Sequence, residues 1–154
     1  MGADIYLKSK HEPHQALWEP RFNKAVRERD ALPRDCYAYT QKQLEVGTIY
    51  DEMFSVGYYR DSYNNSSLLN QLNLSWWEDV GPMLDKNGML PIERAKELRA
   101  IIAVRPLDEK RVREAMSGSE TYDECLDYFE DKRTRLLTLL DESIELGEPL
   151  YMSI

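Results

Sequence analysis

The stretch densest in side chains able to do chemistry is Gly57-Tyr-Tyr-Arg-Asp-Ser-Tyr-Asn-Asn-Ser-Ser67. Within it Tyr59, Arg60, Asp61, Tyr63 and Asn64, with Ser62 among them, combine a permanent cation, a carboxylate, phenols and an amide. Such a set could bind a phosphate or a carboxylate. Arginine supplies a two-pronged donor, and the first amides of a following helix supply aligned partners. The same residue types also close turns and cap helices, and Arg60 has Asp61, Asp51 and Glu52 as candidate internal partners. A ligand site and an internal network are both open at this point.

A second set is acidic. Residues 106–148 carry six bases against thirteen acids, whereas residues 1–105 carry fourteen against fifteen, so nearly all of the net charge of −8 lies in the C-terminal third. Glu120, Asp123, Asp127, Glu130 and Asp131 are the candidate partner-binding residues there. A concentrated acidic face suits a protein partner with a basic surface, because complementary charge steers association. The plainer reading is a solvated face that keeps the chain soluble. Two adjacent tryptophans, Trp76 and Trp77, point about 100° apart if helical, so one can be buried while the other is exposed as a contact anchor.

Other chemistry finds little footing. His11 and His14 are the only histidines, and with Pro13 between them and no third ligand nearby they make a poor metal site. Asp85-Lys-Asn-Gly88 is a turn, since aligning its glycine with that of a calcium loop puts Met83 at the first ligand position and Arg94 at the last. There is no G-x-S-x-G elbow and no phosphate-cradling glycine loop, and neither Cys36 nor Cys125 has an obvious base beside it. No catalytic residue, metal ligand or cofactor is expected.

The elements that must position these residues are mostly helical. Asp4-Ile5-Tyr6-Leu7 alternates like a strand, Pro149 to Met152 reads as a second, and the Tyr58 region offers a third. A first helix is expected from Pro13 to Ala31, late-starting or kinked at Pro20. A second is expected from Asp35 to Val56, burying Leu44, Ile49 and Met53 and closed by Gly57. Asn64 to Ser67 offer caps for a short helix through Leu72, and Ser75 with Glu78 has the spacing of a capping box. Pro91 opens a helix through Ile102, Asp108 caps a short successor, and Thr121 with Glu124 forms a second capping box. From there an apolar stripe of Cys125, Leu126, Phe129, Leu136, Leu137, Leu140 and Ile144 runs to Gly147. This longest helix is the expected spine of the core.

The opening Met-Gly-Ala-Asp-Ile-Tyr-Leu, the Tyr58–Asn64 block and Leu74-Ser-Trp-Trp-Glu-Asp-Val together resemble a group of uncharacterised proteins from tailed phages, prophages and bacteria. That group shares an M-G-x-D-x-Y start and a Y-[YF]-R-D-S-Y-N block before S-W-W. The resemblance implies a phage or bacterial origin and a meeting of the first strand with the Tyr58 block. It carries no activity with it.

Composition sets the outer bounds. At 42% hydrophobic and 31% charged the chain is globular and far from disorder. It has no apolar run near the ~20 residues of a membrane span, and its first residues lack a signal-peptide core. Net −8 disfavours broad nucleic-acid capture. Two cysteines in no ligand pattern fit a reducing cytoplasm. The expectation is a mainly α (α+β) single domain over residues 1–154, with a small two- or three-stranded sheet formed by the termini and the Tyr58 region. Its expected role is that of a non-enzymatic binding protein, a phage-borne regulator or inhibitor acting through the acidic C-terminal surface. The alternative is a small enzyme or phosphate-binding protein centred on Arg60.

Overall fold

A computed structural model of the chain describes residues 2–154. The fold is α+β and mainly helical, in the order β1 (Gly2–Tyr6), α1 (Lys8–Asp30), α2 (Tyr37–Met53), β2 (Tyr58–Ser62), α3 (Leu68–Gln71), a π-helical turn (Trp76–Val80), a 3-10 turn (Gly81–Met83), β3 (Met89–Leu90), α4 (Ile92–Val104), α5 (Glu109–Ala115), α6 (Tyr122–Leu146) and β4 (Leu150–Ser153). The described residues fall into two compact units, one made of residues 2–7 and 59–154, the other of Lys8–Tyr58.

The first unit is built on a four-stranded sheet in the order β2-β1-β4-β3. β1 and β4 run antiparallel with Ile5 opposite Met152, and β3 pairs with β4 through Leu90 and Leu150. The termini therefore meet, as expected of two lone strands that leave their backbone groups unpaired otherwise, and the Tyr58 strand joins them. The fourth strand, Met89–Leu90, is too short to show a period of its own. β2 lies so close to β1 that a Cβ on Gly2 would collide with the Asp61 carbonyl. Only a glycine fits there.

The inner faces of the sheet contribute Ala3, Ile5, Tyr59, Leu90, Leu150 and Met152 to a core completed by Leu68, Leu69, Leu72, Trp76, Leu98, Ile102, Phe129, Leu136 and Leu140. α6 spans 25 residues and begins at the full capping box of Thr121 and Glu124. It ends at Gly147 in the left-handed conformation, φ 64°. Its buried side includes Leu139 and two polar residues, Arg133 and Ser143, while Leu137 is only half-buried. Arg133 is held because its guanidinium donates to the carbonyls of Ile102 (2.9 Å) and Arg105 (2.7 Å), where α4 runs out of intrahelical donors. Arg99 grips Asp141 with Nε at 2.5 Å and Nη2 at 3.3 Å, tying α4 to α6 again.

The second unit is an antiparallel helical hairpin. α1 starts at Lys8 and carries both Pro13 and Pro20 inside it, so the expected start at Pro13 is too late. Each proline removes one backbone donor from the helix, and histidine side chains tie α1 to the end of α2 and the residues after it. His11 Nδ1 reaches the Val56 carbonyl at 3.3 Å, and His14 Nε2 donates to the Glu52 carbonyl at 2.7 Å. An aromatic row of Phe22, Tyr50, Phe54, Tyr58 and His11 lines the hairpin, with ring centroids 4.7 to 6.0 Å apart. α2 ends at Met53 rather than Val56, and its buried residues are Val46 and Met53. Leu44, expected inside, is 63% exposed, because a hairpin of two helices buries only a narrow stripe of each.

Candidate functional site

The Tyr58–Asn64 block does not form one site. Successive residues of a strand point to opposite faces, so Tyr59 and Asp61 turn into the core while Arg60 turns out. Arg60 and Asp61 are therefore not a pair. Arg60 Nε approaches Asp4 across the sheet at 3.4 Å. Asp61, 2% exposed, is the centre of a buried knot. Its carboxylate accepts from Lys132 Nζ (2.7 Å), Ser67 Oγ (2.9 Å), Trp76 Nε1 (3.0 Å), and the amides of Ser62 (3.0 Å) and Leu68 (3.1 Å). This one side chain joins β2, α3, the tryptophan turn and α6. Tyr59 is buried beside it, its hydroxyl without a hydrogen-bond partner among the described residues. Burial, then the Asp61 charge, pushes that phenol well above its ordinary range.

Asn64 is a turn residue whose side-chain oxygen accepts from the Ser66 amide (2.9 Å) and from the hydroxyls of Ser62 (2.9 Å) and Ser66 (2.5 Å). Tyr63 packs against Trp77 with centroids 4.6 Å apart. Trp76 is buried and Trp77 is 60% exposed, as the angular offset of neighbouring helical residues allows. Ser75 accepts from the Glu78 amide, but Asp79 rather than Glu78 reaches back to the Ser75 amide, at 2.7 Å. The wider π turn shifts the return partner by one residue.

What the block does contribute is one wall of an open cleft of about 480 Å³, lined by Arg60, Ser62, Lys132, Arg135, Asp131 and Tyr128. Three cations converge on it. Lys132 is half-buried against Asp61, whereas Arg60, near Asp4, and Arg135, paired with Asp131, are exposed.

The five acidic candidates on and before α6 also divide. Glu130 pairs with Arg133 at 3.0 Å and Asp131 with Arg135 at 2.8 Å, so both are locally neutralised. Asp123 and Asp127 are exposed and make no ion pair among the described residues. Glu120 is held by the Ser117 amide (2.7 Å), the Ser117 hydroxyl, the Ser119 hydroxyl (3.3 Å) and the Cys125 thiol (3.5 Å). The Ser117 bonds come first among the causes that bring its pKa down to about 2. Beside it lies a hollow of about 300 Å³ bounded by Glu120, Glu124, Cys125, Tyr128 and Phe129.

Tyr128, a residue the sequence reading passed over, borders both the basic cleft and this acidic hollow and is 53% exposed. The signal available for it was its place one residue before the buried Phe129, on the outer side of the stripe. Among the described residues no group of three His, Cys, Asp or Glu side chains converges as a metal site, and no helix is long and apolar enough to cross a membrane. No family model, curated protein or solved structure matches the chain.

Proposed function

We propose that this protein works by binding another protein through the outward face of α6, as a phage-borne regulator or inhibitor of a host factor. The observation that carries this reading is Tyr128, a large half-exposed ring between two depressions, with the unpaired Asp123 and Asp127 on the same helix. Tyrosine is among the residues most able to anchor an interface, and nearby fixed charge selects a partner of opposite sign. The test is capture of partners from a bacterial lysate, followed by association kinetics with wild type and with a variant carrying Asp123→Lys, Asp127→Lys and Tyr128→Ala. Association should slow more than tenfold and lose its dependence on salt. A rate indifferent to the variant removes the reading.

The basic cleft supports a second reading, a site for a small carboxylate or phosphate. Arg60 and Arg135 present exposed guanidiniums there although the chain as a whole is acidic. Calorimetric titration with inorganic phosphate, on wild type and on Arg60→Ala with Arg135→Ala, decides it. Heat that saturates in wild type and vanishes in the variant is the expected result, and no saturable heat overturns it.

A further inference from the structure

The hollow beside Tyr128 has a chemistry of its own. It is lined by Cys125, Phe129, Ala115, Tyr128 and Ser66, together with the carboxylates of Glu120 and Glu124. No lysine or arginine lines it. Glu120 is held by neutral donors alone, an amide, two hydroxyls and a thiol, so its charge is fixed in place without being cancelled. Glu124 uses one oxygen, Oε2, to accept from the Thr121 amide at 2.8 Å, leaving the other for an incoming donor. The Cys125 thiol registers the resulting field. Burial raises its pKa first, and the bond to Glu120 and the charges of Glu120 and Glu124 raise it further.

The possible occupants separate on these facts. An anion would meet two uncompensated carboxylates. A neutral apolar group would fill the space but strip water from those carboxylates and return nothing. An inorganic cation would find Glu120 already occupied by four donors and, beyond Glu124 and Ser66, only Cys125, Ala115 and two aromatic rings, short of the several oxygen ligands it needs. An organic cation on an aliphatic stem satisfies all the walls at once. Its stem lies on Cys125 and Phe129 and its head meets the carboxylates, beside a Tyr128 ring that Lys132 Nζ already approaches at 5.5 Å from the centroid.

We propose that this hollow takes one basic side chain, a lysine or arginine, from the protein that binds α6. The proposal rests on the reading of α6 as a protein-binding face and names its anchor point. The probe is n-butylguanidinium, a free arginine-like head and stem, with n-butanol as its neutral counterpart. Both are titrated into the full chain and followed by amide NMR. The expected result is saturable shifts at Glu124, Cys125 and Tyr128, with n-butylguanidinium binding at least fivefold more tightly than n-butanol. Glu124→Gln keeps an oxygen for the Thr121 cap and should weaken n-butylguanidinium at least fivefold while leaving n-butanol unchanged. Glu120→Gln provides the same comparison should that variant lose its native spectrum. Equal binding of the two probes, or indifference to both substitutions, overturns the proposal. The probe needs no partner, so its failure removes the hollow and leaves the α6 reading to the kinetic test. Probe binding beside partner association that ignores the α6 variant overturns the assignment of the occupant to the partner.

Discussion

Asp61 and Glu120 are both carboxylates wrapped in hydrogen bonds, and they are built for opposite ends. Asp61 is buried and accepts from five donors, one of them the Lys132 ammonium. Glu120 accepts from four donors, all neutral, at the edge of an open hollow. The number of hydrogen bonds does not distinguish a structural carboxylate from an available one. The cation does. A buried charge that has met its counter-ion is spent on the fold, whereas a charge oriented by neutral dipoles still projects its field.

The most severe way to break this contrast is Asp61→Ala. It strands the Lys132 ammonium and leaves the Ser67 hydroxyl and Trp76 N–H without their acceptor. The expected cost is about 3–5 kcal/mol, read as a fall in urea midpoint with the slope unchanged. A cost under about 1 kcal/mol, the level of surface pairs, would mean that the knot is incidental. Lys132→Met is the sharper experiment, because it leaves Asp61 held by neutral donors only, as Glu120 is. It should cost about 1.5–3 kcal/mol, the range for a hydrogen bond to a charged group. No measurable cost would show that neutral donors suffice even inside the core.

His11 tests the same principle for a cation. It is buried against the rings of Phe54 and Tyr58, and burial, the largest influence on it, lowers its pKa from 6.5. The unfolded chain therefore binds the proton more readily than the folded one. Stability is complete above pH 6.5 and falls as the pH drops below it. Melting temperature followed from pH 7.5 to 5.5 should decline, and His11→Phe, which keeps a ring, should flatten the decline.

The smallest effect belongs to Glu120→Gln, since the group lies at the surface and is screened. The folded pKa of Glu120 is brought from 4.5 to about 2, so its contribution is present above pH 4.5 and lost as pH falls toward 2. The variant should lack that portion of the acid-unfolding curve. Superimposable curves below pH 4.5 would show that the serine cradle does not hold the charge.

How far these features were legible depended on the distance over which they act. The capping box of Thr121 and Glu124 and the glycine stop at Gly147 join neighbours on one turn of chain and were visible in the spelling, and the cap at Ser67 is one of the four candidates from Asn64 to Ser67. Strand alternation puts Arg60 and Asp61 on opposite faces and so argues against the Arg60–Asp61 pairing considered from the sequence, but it does not say which of the two turns inward. Leu44 could not be placed, because its helical neighbours do not say how wide a stripe the partner helix will cover.

Local spacing by itself determined the mainly helical character, the ends of α6, the two terminal strands and the concentration of acid in the last third, but not the bounds of α1 and α2. Those features follow from backbone periodicity and from groups a few residues apart. Only the tertiary structure decided which charges are spent. Lys132 reaches Asp61 across 71 residues of sequence, Arg133 reaches the end of α4 across 31 and 28, and Arg99 reaches Asp141 across 42. Each of those meetings gives a charge a partner, while Asp123 and Asp127 stay exposed and Glu120 half-buried without a counter-ion. A periodic pattern says which face a side chain occupies, but the identity of the group opposite it depends on how the elements pack.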